Sequence, residues 1–124
     1  SKELAKSLDA ATVQAMVNID SVGVGPTAIW EIKADKQLRN YAFGTARSLG
    51  LELGGVNIGN VGDTDSTSFQ NRKIAVVDFH SIHQDALRIL HSPADVFAAI
   101  RLNDYADTFR IVSNYLGYID QMLP

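Results

Sequence analysis

The sequence predicts a layered α/β domain, a partial sheet flanked by helices, from three observations. Residues 13–19 alternate, with Val13, Ala15, Val17 and Ile19 on one face and Gln14, Met16 and Asn18 on the other, which is the period of a strand. Residues 74–79 form a nearly continuous apolar run that begins Ile74-Ala75-Val76-Val77. A strand covered on both faces reads this way, so it belongs in the middle of the sheet. Over residues 103–122, Tyr105, Phe109, Val112, Leu116 and Ile119, continued by Leu123, recur at alternating steps of four and three. That is one strong amphipathic helix face, to be buried against the sheet. The main elements run helix, strand, strand, helix, strand, strand, helix, an order that favours α/β layers over a bundle or a sandwich.

The remaining elements follow in chain order. Residues 2–9 read as the end of a helix, with Lys2, Glu3, Lys6 and Asp9 around Leu4 and Leu8. Asp20 closes the first strand, and Gly23, Gly25 and Pro26 punctuate a turn. A second strand is expected near 27–32, through Ala28, Ile29, Trp30 and Ile32. Asp35 is the expected cap of a helix over 36–49, with Leu38, Tyr41, Ala42, Thr45 and Leu49 as its buried stripe and Gly50 as its stop. A short strand is expected around 55–58 within a stretch holding Gly54, Gly55, Gly59 and Gly62. Asp63 or Asp65 is expected to cap a short helix through Phe69 and Asn71, and Asn103 to cap the last helix.

Composition narrows the function. The 124 residues fit one domain, 1–124, and 46% hydrophobic with 20% charged residues is the balance of an ordinary globular chain. The net charge of -3 supplies no broad basic surface, which disfavours nucleic acid and anionic membranes as partners. No apolar run is long enough to span a bilayer, and no cationic segment followed by an apolar one marks a signal peptide. These features leave the compartment open. With no cysteine, disulfides and thiolate chemistry are excluded, and any metal must be held by His and carboxylate.

Several residues could carry chemistry, each beside a plainer reading. Asp20 ends a strand, where ligands gather in open α/β sheets, but Asp is also a common turn residue. His91, in Leu90-His91-Ser92-Pro93-Ala94-Asp95, is a candidate metal ligand with Asp95 as a carboxylate to orient it; the plainer reading is a surface loop. Asp63 and Asp65 could form a carboxylate cluster or simply cap a helix. His80 and His83 match no compact zinc pattern and read as loop residues, although His80, following a buried strand, could face the same cleft. The glycines match neither dinucleotide nor P-loop patterns, Ser66 and Ser68 lack a nucleophile elbow, and Trp30, Tyr115 and Tyr118 read as packing residues.

Taken in order, three segments resemble the zinc aminopeptidase family that includes bacterial leucyl aminopeptidase, glutamate carboxypeptidase and glutaminyl cyclase. Val17-Asn18-Ile19-Asp20-Ser21-Val22-Gly23 is similar to that family's strand-end Asn-Leu-Asp-Met-(Val/Ile)-Gly, whose Asp binds one zinc. Asp65-Ser66-Thr67-Ser68-Phe69, followed by Ile74-Ala75-Val76-Val77, resembles its Ser-Asp-His-x-x-Phe and the Gly-Ile-Pro strand after it. Leu90-His91-Ser92-Pro93-Ala94-Asp95 resembles Tyr-His-Thr-x-x-Asp, whose His binds the other zinc. The departures are Ser21 for Met, Ser66 for His, Leu90 for an aromatic and Ala75 for Pro, and those at Ser66 and Leu90 touch the substrate pocket more than the metals.

The resemblance implies the C-terminal half of a metallopeptidase-like catalytic domain of the phosphorylase/hydrolase-like class. Asp20 and His91 would bind metal, with Asp95 and Asp65 orienting them. Two zinc ions, a peptide N-terminus or related small amide as substrate, and metal-assisted hydrolysis follow for the intact enzyme. In the family the first His, the bridging Asp, the general-base Glu and the Glu ligand precede the Asn-x-Asp motif, whereas residues 1–17 here contain no His. Asp20 and His91 would serve different ions, and a catalytic zinc takes three protein ligands. This chain alone is therefore expected to bind no zinc tightly and to be inactive. Two other readings stand beside this one: a non-catalytic interaction domain that keeps the fold, and an unrelated α/β domain in which Asp20 and His91 lie far apart. Half a sheet also leaves an open edge and uncovered apolar faces, so self-association is expected.

Overall fold

The computed structural model describes residues 1–57 and 63–124. Its elements are α1 (Lys2–Ser7), β1 (Met16–Ile19), β2 (Ala28–Ile29), α2 (Lys36–Ser48), β3 (Gly54–Gly55), α3 (Asp65–Gln70), β4 (Val76–His80) and α4 (Leu102–Met122), with single 3-10 turns at Ala86–Arg88 and Phe97–Ala99. The four strands form one sheet in the order β1-β4-β2-β3. β1 runs parallel to β4, with Met16 opposite Val76 and Ile19 opposite Phe79. β2 is antiparallel to β4 and parallel to β3.

β4 lies inside the sheet, and all five of its residues are buried, the apolar Val76, Val77 and Phe79 together with Asp78 and His80. Alternation along β4 divides the two layers. Val77 and Phe79 enter the main core with Leu38, Ala42 and Ala46 of α2 and Ile111, Val112, Tyr115 and Ile119 of α4. Val76 faces the other way, into a smaller cluster with Ala5 of α1 and Phe69 of α3. The rings of Phe79 and Tyr115 meet edge-on at 5.2 Å. The Asp35 carboxylate caps α2 as expected, accepting from the amides of Gln37 (2.8 Å) and Leu38 (3.1 Å). Gly50, at φ +66°, ends that helix in the left-handed conformation that glycine adopts at no steric cost.

Several expectations are corrected. β2 shrinks from 27–32 to Ala28–Ile29, because the chain turns at Trp30, whose carbonyl accepts from the amides of Lys33 and Ala34. The strand expected at 55–58 is Gly54–Gly55; residue 58 lies outside the described residues. Thr64, not Asp63 or Asp65, precedes α3, and Arg101, not Asn103, precedes α4, in neither case with a side-chain cap. The buried stripe of α4 is also rotated: Thr108, Ile111, Val112, Tyr115 and Ile119 are covered, while Tyr105, Phe109 and Leu116 remain 48%, 66% and 42% exposed. The apolar surface of α4 is wider than the sheet and α2 cover. No helix among the described residues is long and apolar enough to cross a membrane.

Candidate functional site

β1 and β4 are parallel, so their carboxyl ends lie side by side, where ligands collect in α/β sheets. A cavity of about 370 Å³ opens there. That volume falls within the roughly 300–1,000 Å³ usual for small-molecule sites. Asp20, Asp63 and His91 line its exposed mouth, and Trp30, Asp78 and His80 its buried floor. Ile82, Leu87 and Leu90 add apolar wall. A larger open groove of about 660 Å³ between α2 and α4 is lined by neither His nor carboxylate, unlike the smaller cavity.

Asp20 and His91, 71 positions apart in the sequence, thus line one cavity. Strained backbone lies at His91 and directly after Asp20. His91 has φ +59° and Ser21, whose hydroxyl donates to Asp20 Oδ1, has φ +52°. Left-handed conformations at residues other than glycine cluster at functional sites. Asp95 does contact His91, but its Oδ2 accepts from the His91 backbone N–H at 3.2 Å rather than from the ring. Asp65 lies exposed in the first turn of α3 and does not line the cavity.

The floor holds a polar network that pattern reading passes over. Asp78 is 2% exposed. Its Oδ1 accepts from Asn18 Nδ2 at 2.8 Å and its Oδ2 from Ser66 Oγ at 2.6 Å. With its proton committed to Asp78, Ser66 Oγ accepts from Thr64 Oγ1 at 2.6 Å. A buried carboxylate must be hydrogen-bonded to be tolerated, and these contacts meet that need by tying β1, β4 and α3 together below Asp20. The usable signal in the sequence is an acidic residue inside an otherwise apolar central strand.

His80 belongs to β4 rather than to a loop, and it lines the cavity. Its Nδ1 accepts from the Ile82 amide at 3.0 Å, which leaves the proton on Nε2 in the neutral ring. Burial lowers its pKa below the ordinary 6.5, against the opposing pull of the Val56 carbonyl, Asp78, the Ile29 carbonyl and Asp20. A depressed folded-state pKa means that the unfolded chain binds the proton more readily, so stability rises with pH through the window that ends near 6.5. Urea unfolding between about pH 7 and about pH 5 is therefore expected to show stability falling on acidification, with a shallower fall in His80→Gln. Equal slopes in the two proteins would refute this assignment.

The model of peptidase family M28 matches residues 1–116. The chain belongs to this family. A solved structure described as BSAP, a zinc aminopeptidase from Bacillus subtilis, superimposes with a TM-score of 0.78 at 13% identity, over 98% of this chain and 32% of that one. The M28 chain described here thus spans about a third of that protein's length, and the likeness establishes a shared mixed α/β fold. No curated protein sequence matches. The resemblance read from Asp20, Asp65–Phe69 and His91 therefore names the right family, and the expected layered sheet is the one observed.

A carboxylate oxygen and an imidazole nitrogen are donor types that zinc accepts. Among the described residues, however, no three His, Cys, Asp or Glu side chains come together closely enough to hold a metal ion. The donors fit zinc in kind and fall short in number.

Proposed function

We propose that this chain is the C-terminal part of a zinc aminopeptidase catalytic domain, contributing Asp20 to one zinc ion and His91 to the other. The substrate is a peptide N-terminus or a related small amide. The observation that carries this reading is the meeting of Asp20 and His91 in one cavity at the carboxyl ends of β1 and β4. The strained backbone at Ser21 and His91 adds support. Asp95 holds the His91 turn through the backbone, and the network from Asn18 through Asp78 to Ser66 and Thr64 stiffens the floor. Metal ions in such a site polarise the scissile carbonyl and acidify a bound water.

Two ligands for two ions do not make a competent site. This chain alone therefore neither retains zinc tightly nor hydrolyses amides, and the remaining ligands and the general base come from polypeptide outside this sequence. The alternative reading, a non-catalytic interaction domain on the same fold, draws on the exposed apolar row of α4. Hydrolysis of aminoacyl-p-nitroanilides separates the two. This chain is expected to be inactive. A longer polypeptide supplying the missing ligands is expected to be zinc-dependent, with Asp20→Ala and His91→Ala each lowering kcat/KM by at least about 100-fold. Full activity in either variant would overturn the assignment.

A further inference from the structure

The alternation that sends Ile29, Val77 and Phe79 into the main core puts Trp30, Asp78 and His80 on the opposite face of the sheet. The Trp30 amide donates to the Asp78 carbonyl at 3.1 Å, so these two residues stand side by side. The register that sets Ile19 against Phe79 brings Asp20 beside His80. All four line the cavity at the carboxyl ends of β1 and β4. Trp30 is 5% and His80 3% exposed. Trp30 Nε1 and His80 Nε2 are buried, and neither has a hydrogen-bond partner among the described residues. The His80 Nδ1 lone pair is taken by the Ile82 amide, so Nε2 carries the ring proton and the neutral ring keeps no lone pair for a metal ion. The Val56 and Ile29 carbonyls lie near enough to bias protonation of the ring, but neither completes a hydrogen bond to Nε2. The cavity floor thus holds two N–H donors without acceptors.

A buried donor left without an acceptor costs roughly 1–3 kcal/mol, and folded proteins keep few of them. Ligand sites orient their occupant through a few such groups on an otherwise apolar lining, here Ile82, Leu87 and Leu90. We propose that Trp30 and His80 form a two-donor subsite that takes the carbonyl oxygen of a neutral carboxamide. A single carbonyl oxygen has two lone pairs, enough for both donors. The neighbouring residues select the charge. Asp20, Asp63 and Asp78 line the same cavity, so a carboxylate or phosphate ligand meets three acids of its own sign. A carboxamide brings no charge, and its own N–H groups suit those acids. The subsite rests on the reading of this cavity as an amide-hydrolase site and adds which groups hold the amide. Its test uses neither metal nor turnover, so the two can fail separately.

Nitrogen-resolved spectra of the isotope-labelled chain test this. Trp30 is the sole tryptophan, so its indole N–H gives one resonance. Acetamide is the probe, added to about 200 mM because so small a ligand binds weakly. Acetate at the same ionic strength is the control. Acetamide is expected to shift the Trp30 indole N–H and the His80 Nε2 resonance saturably, and acetate to shift neither. His80→Phe keeps a ring and removes the donor. It is expected to weaken acetamide binding about 5-fold, the effect of one lost hydrogen bond, read at the same indole resonance. Should His80→Phe unfold, the His80 Nε2 resonance of the wild type decides alone. No saturable shift at either group would overturn the proposal and leave both donors to ordered water. An equal response to acetate, or undiminished affinity in His80→Phe, would overturn it as well. None of these results bears on whether Asp20 and His91 face metal.

Discussion

Replacing Asp78 with alanine is expected to destabilise the fold by roughly 3–5 kcal/mol, because two hydrogen bonds to a charged group are lost, and one of the donors, Ser66, stays fully buried. Asn18 Nδ2 and Ser66 Oγ would lose their acceptor, and the Ser66–Thr64 pair would lose its anchor. Asp78→Asn keeps the shape and one accepting oxygen, so it is expected to lose less than half as much. Urea denaturation of the two variants measures both values. A cost for Asp78→Ala below about 1 kcal/mol would mean that the network is not holding β1 to α3.

Phe79→Ala is expected to cost roughly 3–5 kcal/mol, the usual range for deleting a buried phenylalanine ring. The side chain is fully buried on the central strand, between α2 and α4 and against Tyr115. Global stability of a domain this size is about 5–15 kcal/mol, so the variant should sit close to unfolding. A thermal melt would show the midpoint falling steeply, whereas the Tyr118 ring, 41% exposed and meeting Tyr41 at 5.2 Å, should be replaceable at small cost. Equal effects at Phe79 and Tyr118 would contradict the placement of the core.

How legible this molecule was depended on what each residue had to satisfy. β4 was readable because a strand covered on both faces must be apolar nearly throughout, and α2 because Asp35 has a single local task that the sequence displays. Asp78 was missed because hydropathy treats an acid in such a run as noise, while its partners Asn18 and Ser66 lie 60 and 12 positions away. The face of α4 was misjudged because periodicity reports how much apolar surface a helix has, not how much of it the chain can cover. Tyr105, Phe109 and Leu116 fit the pattern and stay exposed, whereas Thr108 and Ile111 lie outside it and are buried. Asp20 and His91 were singled out through family resemblance alone, since each sits in ordinary turn chemistry. Asp65 was assigned an orienting task because it opens the segment Asp65–Phe69 that resembles a family motif, and the first turn of α3 turns it to solvent.

Asp20 and His91 are proposed as the metal-facing part of a peptidase site. Titrating paramagnetic cobalt(II), a stand-in for zinc, into isotope-labelled chain and recording amide spectra tests it most directly. Weak binding is expected, with line broadening centred on Asp20, Ser21 and His91, and lost in both Asp20→Asn and His91→Ala. Broadening centred on His83 or on the acidic residues of α4, or broadening unchanged in both variants, would contradict the claim.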